Sequence, residues 1–199
     1  MNYFILVLSY FIGAINFAYW IGRLLKVRID KFGDENLGAT NLYFALKSRR
    51  KKNPLFYYLL SAFLDISKTM ILTYFFGPLA GAFSVVGHIF SVISFLFTGK
   101  IITGSGFASA LGWLLIVNWK FLLLSLVLVF PPFYFMFKKF YSKERGHIIL
   151  VFAVPLLGWI YTLFFNPTLE EIHGFLLIAV AMGLGNMWKL RIVLEKLGA

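Results

Sequence analysis

Seven runs of apolar residues divide the chain, at about 3–25, 54–76, 79–97, 106–117, 120–137, 148–165 and 172–190. A helix that crosses the hydrocarbon core of a bilayer needs roughly 20 residues, and most of these runs meet that length. The fourth is short, which predicts a tilted, partly buried or re-entrant helix. The second run carries Asp65 and Lys68 inside it, and the last is punctuated by Gly183, Gly185 and Asn186. The gaps between runs are polar, and all but the one at 26–53 are short. The pattern therefore predicts one all-α, polytopic membrane domain over residues 1–199, with about seven transmembrane helices. The first run has no basic segment before it and no small-residue cleavage pattern after it, so it reads as a retained helix and not as a signal peptide.

Composition agrees. The 199 residues are 60% hydrophobic and 20% aromatic, and only 14% are charged. Soluble domains run at roughly 45–50% apolar and about 25% charged, and a water-soluble fold of this length has no interior large enough for the excess. With seven crossings, seventeen of the nineteen basic residues fall on one side of the membrane, Lys120 falls on the other, and Lys68 lies within a helix. The side rich in Lys and Arg is cytoplasmic as a rule, so the N-terminus is expected outside and the C-terminus in the cytoplasm. The net charge of +11 does not point to nucleic acid. The basic residues occupy the gaps between apolar runs, where anionic lipid headgroups or an anionic substrate meet them. The run Arg49-Arg50-Lys51-Lys52 reads as a cytoplasmic stop before the next helix. The chain has no Cys, which excludes disulfides and thiolate chemistry. No metalloprotease, nucleophile-elbow or P-loop signature is present, and no cofactor or metal is expected.

The polar gaps hold the candidate chemistry. Residues 31–41 form a polar, glycine-containing loop beside the most basic part of the protein. Asp34 reads as the N-cap of a helix running to about Ser48, too short and too polar at its start to span, and so placed at the membrane interface. Free amides at such a helix start suit an anion. A second glycine-rich loop spans 98–106 and contains Lys100. A third cluster, around Lys138, Lys139, Ser142 and Lys143, closes the fifth run, and a fourth comprises Asn186, Lys189 and Arg191. On composition alone, four unrelated basic loop ends and one shared anionic pocket account for these clusters equally well. Asp65 and Lys68 are three residues apart and can pair on one helical face, and His88 reads as a packing histidine bonded to a neighbouring helix.

These residues together resemble the bacterial acyl-phosphate:glycerol-3-phosphate acyltransferase family of the PlsY type, over nearly the whole chain. Residues 33–41 resemble the family's GSGNxGATN, and Asp65-Ile66-Ser67-Lys68 its DxxK. Gly87-His88 with Phe97-Thr98-Gly99-Lys100 resembles GH…FxGGKG, and Asn186-Met187-Trp188-Lys189-Leu190 its terminal NIxRL. The resemblance implies transfer of a fatty acyl group from acyl phosphate to the 1-hydroxyl of glycerol 3-phosphate, giving lysophosphatidic acid in phospholipid synthesis. It implies Asn36, Lys100 and Asn186 as catalytic residues, and Thr40, Asn41, Lys68, Ser142 and Lys189 as substrate-binding ones. It also implies a place in the bacterial cytoplasmic (inner) membrane, among membrane lipids. A further implied partner is the soluble acyltransferase that makes acyl phosphate. An acyl phosphate carries its own leaving group, so the residues need only neutralise phosphate, stabilise the developing oxyanion and align the hydroxyl. Four positions depart from the family pattern: Asp34 and Glu35 stand in place of Ser-Gly, Phe44 of an arginine and Gly183 of a histidine. A gapped alignment places Ser105, and an ungapped one Lys100, at the family lysine. Two other readings stay open beside the acyltransferase: a catalytically degenerate paralogue serving as a membrane scaffold, and an acyltransferase with a changed acceptor.

Overall fold

The computed structural model describes residues 2–32, 35–124, 127, 157 and 160–197, with 189–197 described by their backbone alone. Among the described residues the chain is helical, and its β-type pairing is limited to an isolated bridge between Phe90 and Ile102. In chain order the helices are α1 (Tyr3–Gly13), α2 (Phe17–Leu24), a 3₁₀ turn at Ile29–Lys31, α3 (Ala39–Ser48) and α4 (Pro54–Phe76). They continue with α5 (Pro78–Ile89), α6 (Val92–Thr98), α7 (Phe107–Val117) and α8 (Leu169–Leu197). Three stretches are long and apolar enough to cross a bilayer: Tyr3–Leu24, Pro54–Phe76 and Leu169–Trp188. α7 has 11 residues, about 16 Å of rise, or roughly half of the hydrocarbon thickness. The fifth and sixth apolar runs of the sequence lie mostly outside the described residues.

Two runs expected as single helices are broken. The first divides at residues 14–16 into α1 and α2, and the third divides at residues 90–91 into α5 and α6. A break frees backbone groups that lipid cannot satisfy, so it persists only where protein supplies partners. At the first break the Lys68 ammonium donates to the carbonyls of Gly13 (3.0 Å) and Ile15 (2.7 Å), and the Ser91 hydroxyl to that of Ala14 (2.6 Å). At the second, Ser91 N donates to Ile101 O (2.8 Å) and Thr103 N to Ile89 O (2.9 Å). The Tyr10 hydroxyl donates to Phe90 O (2.7 Å). The last run, by contrast, passes through Gly183, Gly185 and Asn186 without interruption.

α5 is the hub, packed on α1, α4, α7 and α8. It meets α1 backbone to backbone: a Cβ on Gly13 would lie 2.0 Å from Ser84 O, and one on Gly87 would lie 2.1 Å from Tyr10 O. Small residues at a helix crossing allow this approach in membranes, where close packing replaces the hydrophobic drive between helices. One apolar core gathers Val85, Ile89, Trp113, Phe121, Tyr161 and Phe175 around this hub. A second, smaller core joins α2, the 3₁₀ turn and α3 through Tyr19, Ile29, Leu37, Leu42 and Leu46. This second core fixes the loop that carries the candidate site.

Candidate active site

The loop between α2 and α3 is folded around Asn41. Its side-chain amide is buried in the first turn of α3 and donates to the carbonyls of Ile29 (3.0 Å), Phe32 (2.9 Å) and Asn36 (2.8 Å). The Asn36 side chain turns back on its own loop and accepts from Gly38 N (3.0 Å). Gly38 therefore occupies the N-cap position, and α3 starts at Ala39, five residues beyond the expected Asp34 cap. The Asn36–Gly38 turn competes with helix for these backbone groups, as Asn side chains commonly do. Asp34 itself lies outside the described residues. The helix ends at Ser48, as expected.

The second glycine loop closes against the first. Leu37 N donates to Thr103 O (2.8 Å), and the Lys100 ammonium donates to Asp30 O (2.6 Å). Lys100 also pairs with the Glu35 carboxylate. Gly99, at φ 73°, ends α6 in the left-handed conformation and lets the chain turn so that Lys100 reaches across. Between the two loops lies an open polar cavity of about 550 Å³ lined by Arg28, Asp30, Lys31, Glu35, Phe97, Thr98 and Lys100. Four of its five charged side chains form two pairs, Arg28 with Asp30 and Lys100 with Glu35, and Lys31 lines it beside them. The Arg28 guanidinium grips Asp30 through Nε (3.0 Å) and Nη2 (2.7 Å). That contact holds the Asp30 carboxyl below its ordinary range and Arg28 above its own.

A second polar centre lies deeper. Lys68 on α4 donates to Asp65 (2.7 Å), as the i, i+3 spacing predicts, and lies 3.1 Å from His88 Nδ1 on α5. Both ionic side chains are about 95% or more shielded from solvent. The Thr103 hydroxyl, which donates to His88 O, receives the Asn16 amide at 3.0 Å. The deep centre is thus joined through His88 and Thr103 to the loop that carries Lys100.

Of the residues singled out from the sequence, Lys100 lines the cavity, and Ser105 is not among its lining residues. Asn36 and Asn41 are not among its lining residues and instead hold the α2–α3 loop in shape, and Thr40 is exposed on the first turn of α3. Lys68 is committed to the helix break and to Asp65. Asn186 is buried on α8 with its amide donating to Met182 O (2.7 Å), and it does not line the cavity. Ser142 and the Lys189 side chain lie outside the described residues. Sequence reasoning did not single out Arg28 and Asp30 as site residues, whereas Phe97 stood in the stretch that resembles FxGGKG. An acid two residues from an arginine at the end of an apolar run was the available signal for the first two.

The chain can now be set beside known proteins. A family model described as Glycerol-3-phosphate acyltransferase matches residues 3–197. A glycerol-3-phosphate acyltransferase of Ehrlichia chaffeensis is 30% identical over 182 residues, which covers 87% of this chain and 85% of that protein. One from Geobacillus kaustophilus is 29% identical over 186 residues, covering 90% and 85%. Glycerol-3-phosphate acyltransferase 2 of Bacillus anthracis is 36% identical over 125 residues, covering 56% of this chain and 62% of that protein. The fold is similar to the crystal structure of PlsY, an integral membrane glycerol 3-phosphate acyltransferase, in its glycerol 3-phosphate form. That likeness has a TM-score of 0.68 at 24% identity, covering 98% of this chain and 90% of that one. The lysophosphatidic acid form of PlsY gives a TM-score of 0.60. With a match that runs from residue 3 to residue 197, this chain is an all-helical membrane protein that belongs to the glycerol-3-phosphate acyltransferase family.

Proposed function

We propose that the protein transfers a fatty acyl group from acyl phosphate to the 1-hydroxyl of glycerol 3-phosphate, with the cavity between the two loops as the phosphate site. The observation that carries this reading is the placement of the Lys100 ammonium in a polar cavity at the end of α6, in a chain of this family. Both substrates present phosphate, and a lysine beside a fixed loop supplies the charge that phosphate requires. The acyl phosphate is a mixed anhydride, so attack by the glycerol hydroxyl on its carbonyl expels phosphate without a protein nucleophile. Lys100 neutralises charge on the phosphate, while Asn36 and Asn41 hold the loop in shape for alignment. Thr40, exposed on the first turn of α3, binds substrate in this reading. Asn186, Ser142 and Lys189 complete the site in this reading, and Lys68 supports it from the helix break.

The same reading places the chain in the bacterial inner membrane as a multi-pass protein of seven crossings, with its N-terminus outside. The concentration of basic residues in alternate gaps supports that orientation. The donor would be delivered by the soluble acyltransferase that makes acyl phosphate. Purified protein given palmitoyl phosphate and glycerol 3-phosphate should release lysophosphatidic acid and phosphate in equal amounts. Phosphate release without lysophosphatidic acid would indicate a changed acceptor or hydrolysis, and absence of both products from folded protein would point to the scaffold paralogue.

A further inference from the structure

Glu35 lies in the same cavity, and its position is unusual for its residue type. Its backbone has φ 59°, in the left-handed region that glycine enters freely and that other residues adopt only when their surroundings impose it. A glycine there would satisfy the turn more easily. The chain instead carries a carboxylate, and that carboxylate meets the Lys100 ammonium. The other acid of the cavity is already engaged, since Asp30 is held by two nitrogens of Arg28. The Lys100 charge that would receive a substrate phosphate is therefore occupied by an acid of the same chain, while Lys31 lines the same cavity.

The pair is open enough to exchange. The Lys100 side chain is 31% exposed and that of Glu35 is 42% exposed. An ion pair in such a setting is screened and weak. Glu35 has solvent to move into once an anion takes its place. A phosphate monoester, with up to two charges and three terminal oxygens, makes a stronger partner for an ammonium than a single carboxylate does.

We propose that Glu35 is an internal counter-ion of the site: its carboxylate holds Lys100 until a phosphate displaces it, which weakens anion binding there. This inference rests on the assignment of Lys100 as a phosphate ligand. The test is direct binding of glycerol 3-phosphate and of inorganic phosphate to the purified full-length protein by titration calorimetry. The wild type is compared with Glu35→Gln and Glu35→Gly, each checked for a monodisperse elution profile. Glu35→Gln keeps a side chain able to hydrogen-bond and removes the charge, and Glu35→Gly also relieves the left-handed backbone. Both variants should bind each anion more tightly, by roughly fivefold from loss of an exposed ion pair. Unchanged or weaker binding in both would overturn the proposal and make Glu35 a loop support. Tighter binding in Glu35→Gly alone would also overturn it, because the cause would then be the backbone. Tighter binding in both variants of a protein that makes no lysophosphatidic acid would uphold the internal counter-ion and remove the acyltransferase assignment instead.

Discussion

The molecule contains two lysine–carboxylate pairs of the same chemistry in opposite surroundings. Lys68–Asp65 has side chains only 5% and 3% exposed, whereas Lys100–Glu35 has 31% and 42%. The buried lysine has further fixed partners, including two main-chain carbonyls at the break between α1 and α2. The open lysine has a carbonyl on one side and a cavity on the other. Removing a partner from a buried pair leaves an uncompensated charge, while an exposed pair exchanges with solvent ions at little cost. Burial thus divides the two lysines by role: the first holds the helix break in place, and the second is available for ligand.

The largest expected effect breaks the first pair. Lys68→Met should leave Asp65 with only His88 Nδ1, at 3.4 Å, in place of its ion pair, and should strand the carbonyls of Gly13 and Ile15. The loss is about 3–5 kcal/mol by analogy with other buried pairs, seen as a collapse in yield or in detergent melting temperature. If Lys68→Met melts like the wild type, the deep centre is not structural. Next comes Asn41→Ala, which removes three hydrogen bonds that fold the site loop. At about 1 kcal/mol each, discounted for relaxation, it should lower stability by roughly 1–3 kcal/mol and reduce turnover as the cavity loses its shape. A melting curve beside a rate measurement reads both. Lys100→Ala should give the reverse of Lys68→Met. Stability should change by no more than about 1 kcal/mol, while turnover falls by about 100-fold or more, the scale for loss of a transition-state contact.

The smallest effect concerns Asp30. Arg28 holds its carboxyl below the ordinary value, so the folded state binds that proton more weakly than the unfolded chain does. The stabilisation is complete above the ordinary Asp pKa of about 4, and it fades as the pH falls below that value, through the lowered folded pKa. Asp30→Asn should therefore melt a few degrees lower than the wild type at neutral pH, and the gap should narrow as the pH falls below about 4. A gap that is constant with pH would show that the Arg28 contact is not the cause.

Much of this was legible in the sequence because apolar runs of membrane length have few alternatives to helix. The full extent of α4, the Asp65–Lys68 pairing and the end of α3 at Ser48 all follow from local spacing. The two helix breaks were not legible. Gly13 and Asn16 lie inside an apolar run, and what stabilises the break is a lysine more than fifty residues away, which local patterning cannot reveal. The start of α3 was misplaced for a related reason. Asp34 is a plausible cap by type, but the Asn36 turn and the Asn41 clamp commit those backbone groups first. In the sequence Glu35 stands only as a departure from the family's Ser-Gly, and the fold shows it paired with Lys100. That pairing depends on two loops meeting across 65 residues of chain.

The most direct test of the account compares purified wild type and Lys100→Ala, at matched melting temperature, supplied with palmitoyl phosphate and glycerol 3-phosphate. The account predicts lysophosphatidic acid and phosphate from the wild type and about 100-fold less of both from the variant. Equal product from the two proteins would contradict it, and would move the phosphate site away from the cavity between the loops.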